Sequence, residues 1–136
     1  MSIIDIEKQI QQFFVNTPGL IAVYLYGSVV SGKIHAESDV DIAVLFQHSH
    51  MPAAMQIFEM QDTLAEELQK KVDLVCLNSV TPILQRQVLT KGKPLLVKDQ
   101  HQLNLFVIKS NNMYHDLKMI RRPIEEAVLK RRVLNG

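Results

Sequence analysis

The chain is short of several things, and each shortage narrows what it can be. It has one cysteine, Cys76, so no internal disulfide can form. Within the apolar run VDLVCL that thiol reads as a buried group in a reducing compartment. Net charge is nearly missing too, with fifteen basic side chains against fourteen acidic and a formal charge of +1. No global field therefore draws the molecule to nucleic acid or to a membrane surface. No apolar run approaches the roughly eighteen residues that a membrane span requires. The opening MSIIDIEKQIQQ lacks the basic region and apolar core of a signal peptide. Internal repeats and low-complexity tracts are absent as well. The expectation is a cytoplasmic protein without membrane contact or direct nucleic-acid binding.

What is present suits a single domain. At 136 residues and 47% apolar content, a chain buries roughly two-thirds of its unfolded surface and needs no staples. Ile3, Ile6, Ile10, Phe13 and Phe14 recur at helical spacing, with Ser2 and Asp5 as an N-terminal cap and Pro18-Gly19 as a stop. LIAVYLY (20–26) reads as a buried strand and DVDIAVLF (39–46) as a second. Residues 52–71 read as a helix with Met55, Phe58, Leu64 and Leu68 inside. VDLVCL (72–77) is a third strand, and SVTPILQRQVL (79–89) a short helix with Pro82 in its first turn. GKPLLVK (92–98) reads as a short edge strand, and the remainder as helix, kinked or restarted at Pro123. Strands separated by helices indicate an α/β or α+β domain, a small mixed sheet flanked by helices. Residues 1–98 form the core on this reading. Residues 99–136 are a helical segment packed on the same domain.

One segment carries chemistry. GSVVSGKI (27–34) is one residue short of a phosphate-binding P-loop, because Ile34 stands where a metal-ligating hydroxyl belongs. The chain also returns to a strand by about Asp39, leaving no room for the helix that a P-loop opens. The alternative pairs Gly27 and Ser28 with Asp39-Val40-Asp41, after a gap of ten residues. Strand alternation sets Asp39 and Asp41 on one side, about 6–7 Å apart. Two carboxylates on one face repel, and a divalent cation resolves the conflict. Asp73 supplies a third carboxylate if its strand lies beside residues 39–46. Three carboxylates on adjacent strands suit two metals about 3.5–4 Å apart, the arrangement of in-line phosphoryl displacement. Gly27 lets a phosphate approach the backbone, and Ser28 offers its hydroxyl and free N–H groups to the anion. Lys33 is a candidate auxiliary charge.

GSVVSGKIHAESDVD, with GS, a ten-residue gap and DxD, resembles the signature of the DNA polymerase β-like nucleotidyltransferase superfamily. The small size resembles its minimal nucleotidyltransferase (MNT) branch. The resemblance implies the polymerase β-like fold and transfer of a nucleoside monophosphate from a triphosphate to a hydroxyl. It also implies roles: Asp39 and Asp41 bind magnesium, two ions in all. Asp73 helps hold the nucleophile-side ion and assists deprotonation, and Gly27 and Ser28 hold the triphosphate. Many MNT proteins are antitoxins of HEPN–MNT toxin–antitoxin modules, in which AMP from ATP is placed on a tyrosine of an RNase of the HEPN family. A cognate HEPN toxin in a hetero-oligomer is accordingly the expected partner. Family members often carry arginines after GS, where this chain has Val29 and Ser31, with Lys33 as the candidate replacement. Two alternatives stay open: an antitoxin of weak catalysis acting by contact, and a nucleotidyltransferase of aminoglycoside-like small molecules.

Other features read more plainly. His48 and His50 sit in a polar loop and suggest solvation before zinc. Tyr24 and Tyr26 read as core strand residues, with Tyr26 within reach of the site because it precedes Gly27. Met113, Leu117, Ile120, Ile124 and Ala127 form a helical stripe, either packed on the sheet or docking a partner or second copy. From Lys118 onward six basic residues stand against two acidic, a solvated face or the complement of an acidic partner.

Overall fold

Ser2 opens the first helix, α1 (Ile3–Phe14), as its sequence predicts. Its hydroxyl accepts the Asp5 N–H at 3.3 Å, and the Asp5 carboxylate receives the Ser2 N–H at 3.4 Å. This closed box satisfies two of the orphan donors at the helix start. The computed structural model to which these distances belong describes residues 2–27 and 39–135, with side chains described as far as Arg131.

A mixed four-stranded sheet follows, in the order β3-β2-β1-β4. The central β1 (Leu20–Tyr26) pairs antiparallel with β2 (Val40–Phe46) and with β4 (Lys93–Val97). Beside β2, β3 (Val72–Cys76) runs parallel. The crossover that parallel pairing demands is α2 (Ala54–Leu68). Because β1 and β2 are covered on both faces, they read as nearly continuous apolar runs. One face carries Val23, Leu25, Val40, Ile42, Val44 and Leu74 against α1 and α2. The other carries Ala22, Tyr24, Ala43 and Leu45 against α3 (Pro82–Lys91) and the start of α4 (Gln100–Asn135).

Two departures from the sequence expectation concern which helix face is inside. In α2 the inward residues are Ile57, Met60, Leu64 and Leu68, whereas Met55 is 66% and Phe58 55% exposed. Met55 and Phe58 stand three apart on a different side of the helix from Leu64 and Leu68. Apolar character alone misassigned them. In α4, Leu103, Phe106 and Val107 pack on α3 and the sheet, and the helix continues unbroken through Pro123. Met113, Ile120 and Ile124 are exposed and do not pack on the sheet.

Polar clamps fix the joints. Asn78 accepts the Phe46 N–H at 3.0 Å and donates to the Phe46 carbonyl at 2.9 Å, extending the β2–β3 junction past the last residue of β3. Gln61 accepts the outward Leu74 N–H at 2.9 Å, covering part of an open sheet edge. Buried Gln85 donates to the Leu77 carbonyl at 2.9 Å and accepts the Ser110 hydroxyl at 2.7 Å, joining α3 and α4 to the turn after β3. At the start of α3, the Thr81 hydroxyl accepts the Leu84 N–H at 3.3 Å, with Pro82 in the first turn.

Candidate active site

Strand register assembles the site. Across β1 and β2, Tyr26 is the partner of Asp41, and across β2 and β3, Asp41 is the partner of Asp73. The row Tyr26–Asp41–Asp73 thus crosses three strands at one end of the sheet, on the α3/α4 face where the apolar cover runs out. Asp39 stands just before β2 with its side chain 48% exposed, its carboxylate 4.0 Å from the Lys71 ammonium. An exposed pair of that length contributes little to stability.

The electrostatics record crowded negative charge. Burial, then Asp73, then Asp39 raise the Asp41 carboxyl above its ordinary value. The Tyr26 phenol is pushed up to about 12, by burial first and then by the Asp41 and Asp73 carboxylates. Among the described residues no three carboxylate, thiol or imidazole groups form a ready cation cage. The aspartates lie at one end of the sheet, Asp39 and Asp73 exposed and Asp41 partly buried. That donor set fits magnesium, which takes one or two carboxylates and completes its shell with water and substrate phosphates.

Gly27 has a role that the sequence reading missed. It follows β1 at φ +79°, and a Cβ placed on it would overlap the Asp41 carboxylate. Its missing side chain makes room for a catalytic candidate of the chain itself, and the positive φ turns the backbone at the end of β1. The signal was only indirect: antiparallel pairing puts the residue after Tyr26 beside the strand that carries Asp41. Lys71 was also passed over. Its position just before Val72-Asp73, parallel to Asp39–Asp41, could have pointed to it. Ser28 and Lys33, expected to hold phosphate, lie outside the described residues.

The other candidates stay apart from this row. His48 and His50 are exposed in a short turn, His50 Nδ1 lying 2.9 Å from the Ser49 hydroxyl. The Cys76 thiol is partly buried, donates to Asn78 Oδ1 at 3.3 Å, and is raised by burial. Among the described residues no helix is long and apolar enough to cross a membrane.

Comparison with known proteins adds what geometry alone does not supply. The family profile described as polymerase beta, nucleotidyltransferase matches residues 8–101. The protein adenylyltransferase MntA of Shewanella oneidensis is 39% identical over 114 residues, 84% of this chain and 80% of that one. Among solved structures, a toxin–antitoxin crystal structure with AMP-PNP superposes at TM-score 0.79 with 36% identity, covering 90% of this chain and 98% of the other. A tri-AMPylated Shewanella oneidensis HEPN toxin in complex with its MNT antitoxin matches at TM-score 0.76 and 32% identity, over 94% and 99% of the two chains.

Proposed function

The chain belongs to the polymerase β nucleotidyltransferase family, and from that premise we propose that it is a protein adenylyltransferase antitoxin. It transfers AMP from ATP to a hydroxyl, a tyrosine as the family resemblance implies, of a cognate HEPN RNase. The observation that carries this is the register pairing of Asp41 with Asp73, with Asp39 alongside. Relatives similar over most of the chain have been solved with AMP-PNP and with an AMPylated HEPN toxin.

In the reaction, the acceptor oxygen attacks the α-phosphorus of ATP, the bond to the bridging oxygen of the β-phosphate breaks, and pyrophosphate leaves. Asp73 accepts the proton that the acceptor hydroxyl loses. Asp39 and Asp41 would hold magnesium, two ions with Asp73, whose charge offsets the negative charge spread over the transferring phosphoryl oxygens. Gly27 keeps the Asp41 carboxylate at the mouth of the site, and Ser28 and Lys33 bind the triphosphate. The AMP left on the acceptor brings a negative phosphodiester and considerable bulk, enough to block an RNA site beside it.

The test mixes the protein, labelled ATP and magnesium with the product of the neighbouring gene, which the proposal expects to be a HEPN protein. Added AMP mass on the partner, lost in Asp39→Asn/Asp41→Asn, is the expected result. Neutralisation of the RNase that survives this double change would sink the proposal in favour of contact alone.

A further inference from the structure

Lys71 sets a positive charge against the aspartate row. Its ammonium lies 4.0 Å from the Asp39 carboxylate, on a side chain 81% exposed. The backbone fixes where that side chain starts. The Lys71 carbonyl accepts the Val40 N–H at 2.8 Å, which carries the parallel β2–β3 ladder one step ahead of Val72. Lys71 and Asp73 are alternate residues, so the pleat sets both on one face, about 6–7 Å apart. The lysine thus neighbours Asp39 across the strands and Asp73 along one of them. An ion pair this exposed adds little to the fold.

The pairing suits only one state of the site. At a carboxylate that holds magnesium, with its oxygen about 2.1 Å from the ion, an ammonium meets like charge. Lysine carries its charge on a flexible four-carbon stem, so it can leave Asp39 without moving the strand. The anion within its reach is then the nucleotide. In the reaction proposed above, Asp73 takes the proton of the attacking hydroxyl, which sets the phosphate under attack beside Asp73 and Lys71. The departing pyrophosphate lies toward Gly27 and Ser28, after β1, and β2 separates that strand from β3. Charge favours the exchange. The aspartate row and a triphosphate together outweigh the magnesium ions they hold, and residues 28–38 bring only Lys33 against Glu37.

We propose that Lys71 is a phosphate-binding residue that holds Asp39 before magnesium arrives and afterwards contacts a non-bridging oxygen of the phosphate being transferred. This rests on the reading of the row as a magnesium–nucleotide site, and adds to it the group that meets the reacting phosphate.

Binding measurements on the full chain read the exchange in opposite directions. Manganese, which takes the same oxygen ligands as magnesium, is titrated into the nucleotide-free protein and followed by its electron spin resonance signal. Lys71→Met is expected to bind it about two- to fivefold more tightly, the scale of one exposed ion pair released. The same variant is expected to bind α,β-methylene ATP with magnesium at least about tenfold more weakly, the loss of one charge-assisted hydrogen bond. Its affinity for inorganic pyrophosphate should match the wild type. Lys71→Arg keeps the charge and should stay near the wild type throughout. Lys98→Met, at the opposite end of the sheet, removes a charge of the same sign and should change nothing. Manganese affinity unchanged or lowered in Lys71→Met overturns the proposal. So does unchanged analogue affinity, an equal loss for pyrophosphate, or equal shifts in Lys98→Met. AMP transfer to the neighbouring gene's product, run on the same samples, separates the two readings. Transfer by a wild type whose Lys71→Met variant shifts neither affinity ends the Lys71 proposal alone. The opposed shifts without transfer end the antitoxin reading alone. Manganese held by Asp39→Asn/Asp41→Asn as tightly as by the wild type ends both.

Discussion

Asp41 is asked to ionise where its surroundings resist it. Its carboxyl is raised by burial and by two neighbouring aspartates, so in the metal-free protein it holds its proton to higher pH than in the unfolded chain. Below the ordinary value of 3.8 both states are protonated and the site costs nothing. As pH rises through that value the unfolded state ionises first, and stability falls until the folded carboxyl has ionised too. Asp41→Asn should therefore melt above the metal-free wild type at pH 7–8, with the gain shrinking toward pH 4 in a thermal-shift series. The same variant should lose at least about a hundredfold in AMP transfer, the scale of removing a metal's share of transition-state stabilisation. Gly27→Ala meets two obstacles, a positive φ and the Asp41 carboxylate. Urea titration should show a loss of at least about 1–2 kcal/mol, the backbone cost alone, and AMP transfer should fall with it.

At the scale of elements, burial divides residues that composition treats alike. Leu64 is fully buried and Phe58 is 55% exposed on the same helix. Leu64→Ala should cost about 2–5 kcal/mol in denaturant unfolding, and Phe58→Ala within about 0.5 kcal/mol of nothing. Local signals told the elements well: the Ser2–Asp5 box, Pro82 in the first turn of α3, and the apolar runs of β1 and β2 all announce themselves. The inward face of α2 did not, because Met55 and Phe58 are as apolar as the residues that turn in, and only the strands beneath decide. The site was legible in part for the same reason. Alternation puts Asp39 and Asp41 on one side, but Asp73 joins them only through parallel register, a long-range choice that no local spacing encodes. Gly27 beside Asp41 is likewise a contact across strands.

For the whole molecule, the proposed site at the end of the sheet would make folding and ligand binding one equilibrium. On the proposed function, magnesium with a nonhydrolysable ATP analogue would bind the assembled row and find no comparable site in the unfolded chain, so it should raise the melting temperature. At a concentration a hundred times its dissociation constant the stabilisation is about 2.7 kcal/mol. Asp39→Asn/Asp41→Asn should show no such rise, and magnesium alone should lift the wild type more at pH 8 than at pH 5, where Asp41 is less ionised.

The parallel pairing of β3 with β2 has one more consequence. Asn78 pins the far end of that junction through both polar groups of the Phe46 backbone, and Asp73 faces Asp41 at the near end. Slide β3 by one residue and Asp73 turns into the core, while Val72 and Leu74 turn out to water. Such a copy would forfeit its core and the aspartate row proposed as its reactive centre in the same step. Pleat parity thus acts as an inspection at assembly: a molecule that passes into the folded population is already armed, and a disarmed one never becomes stable enough to stand in its place.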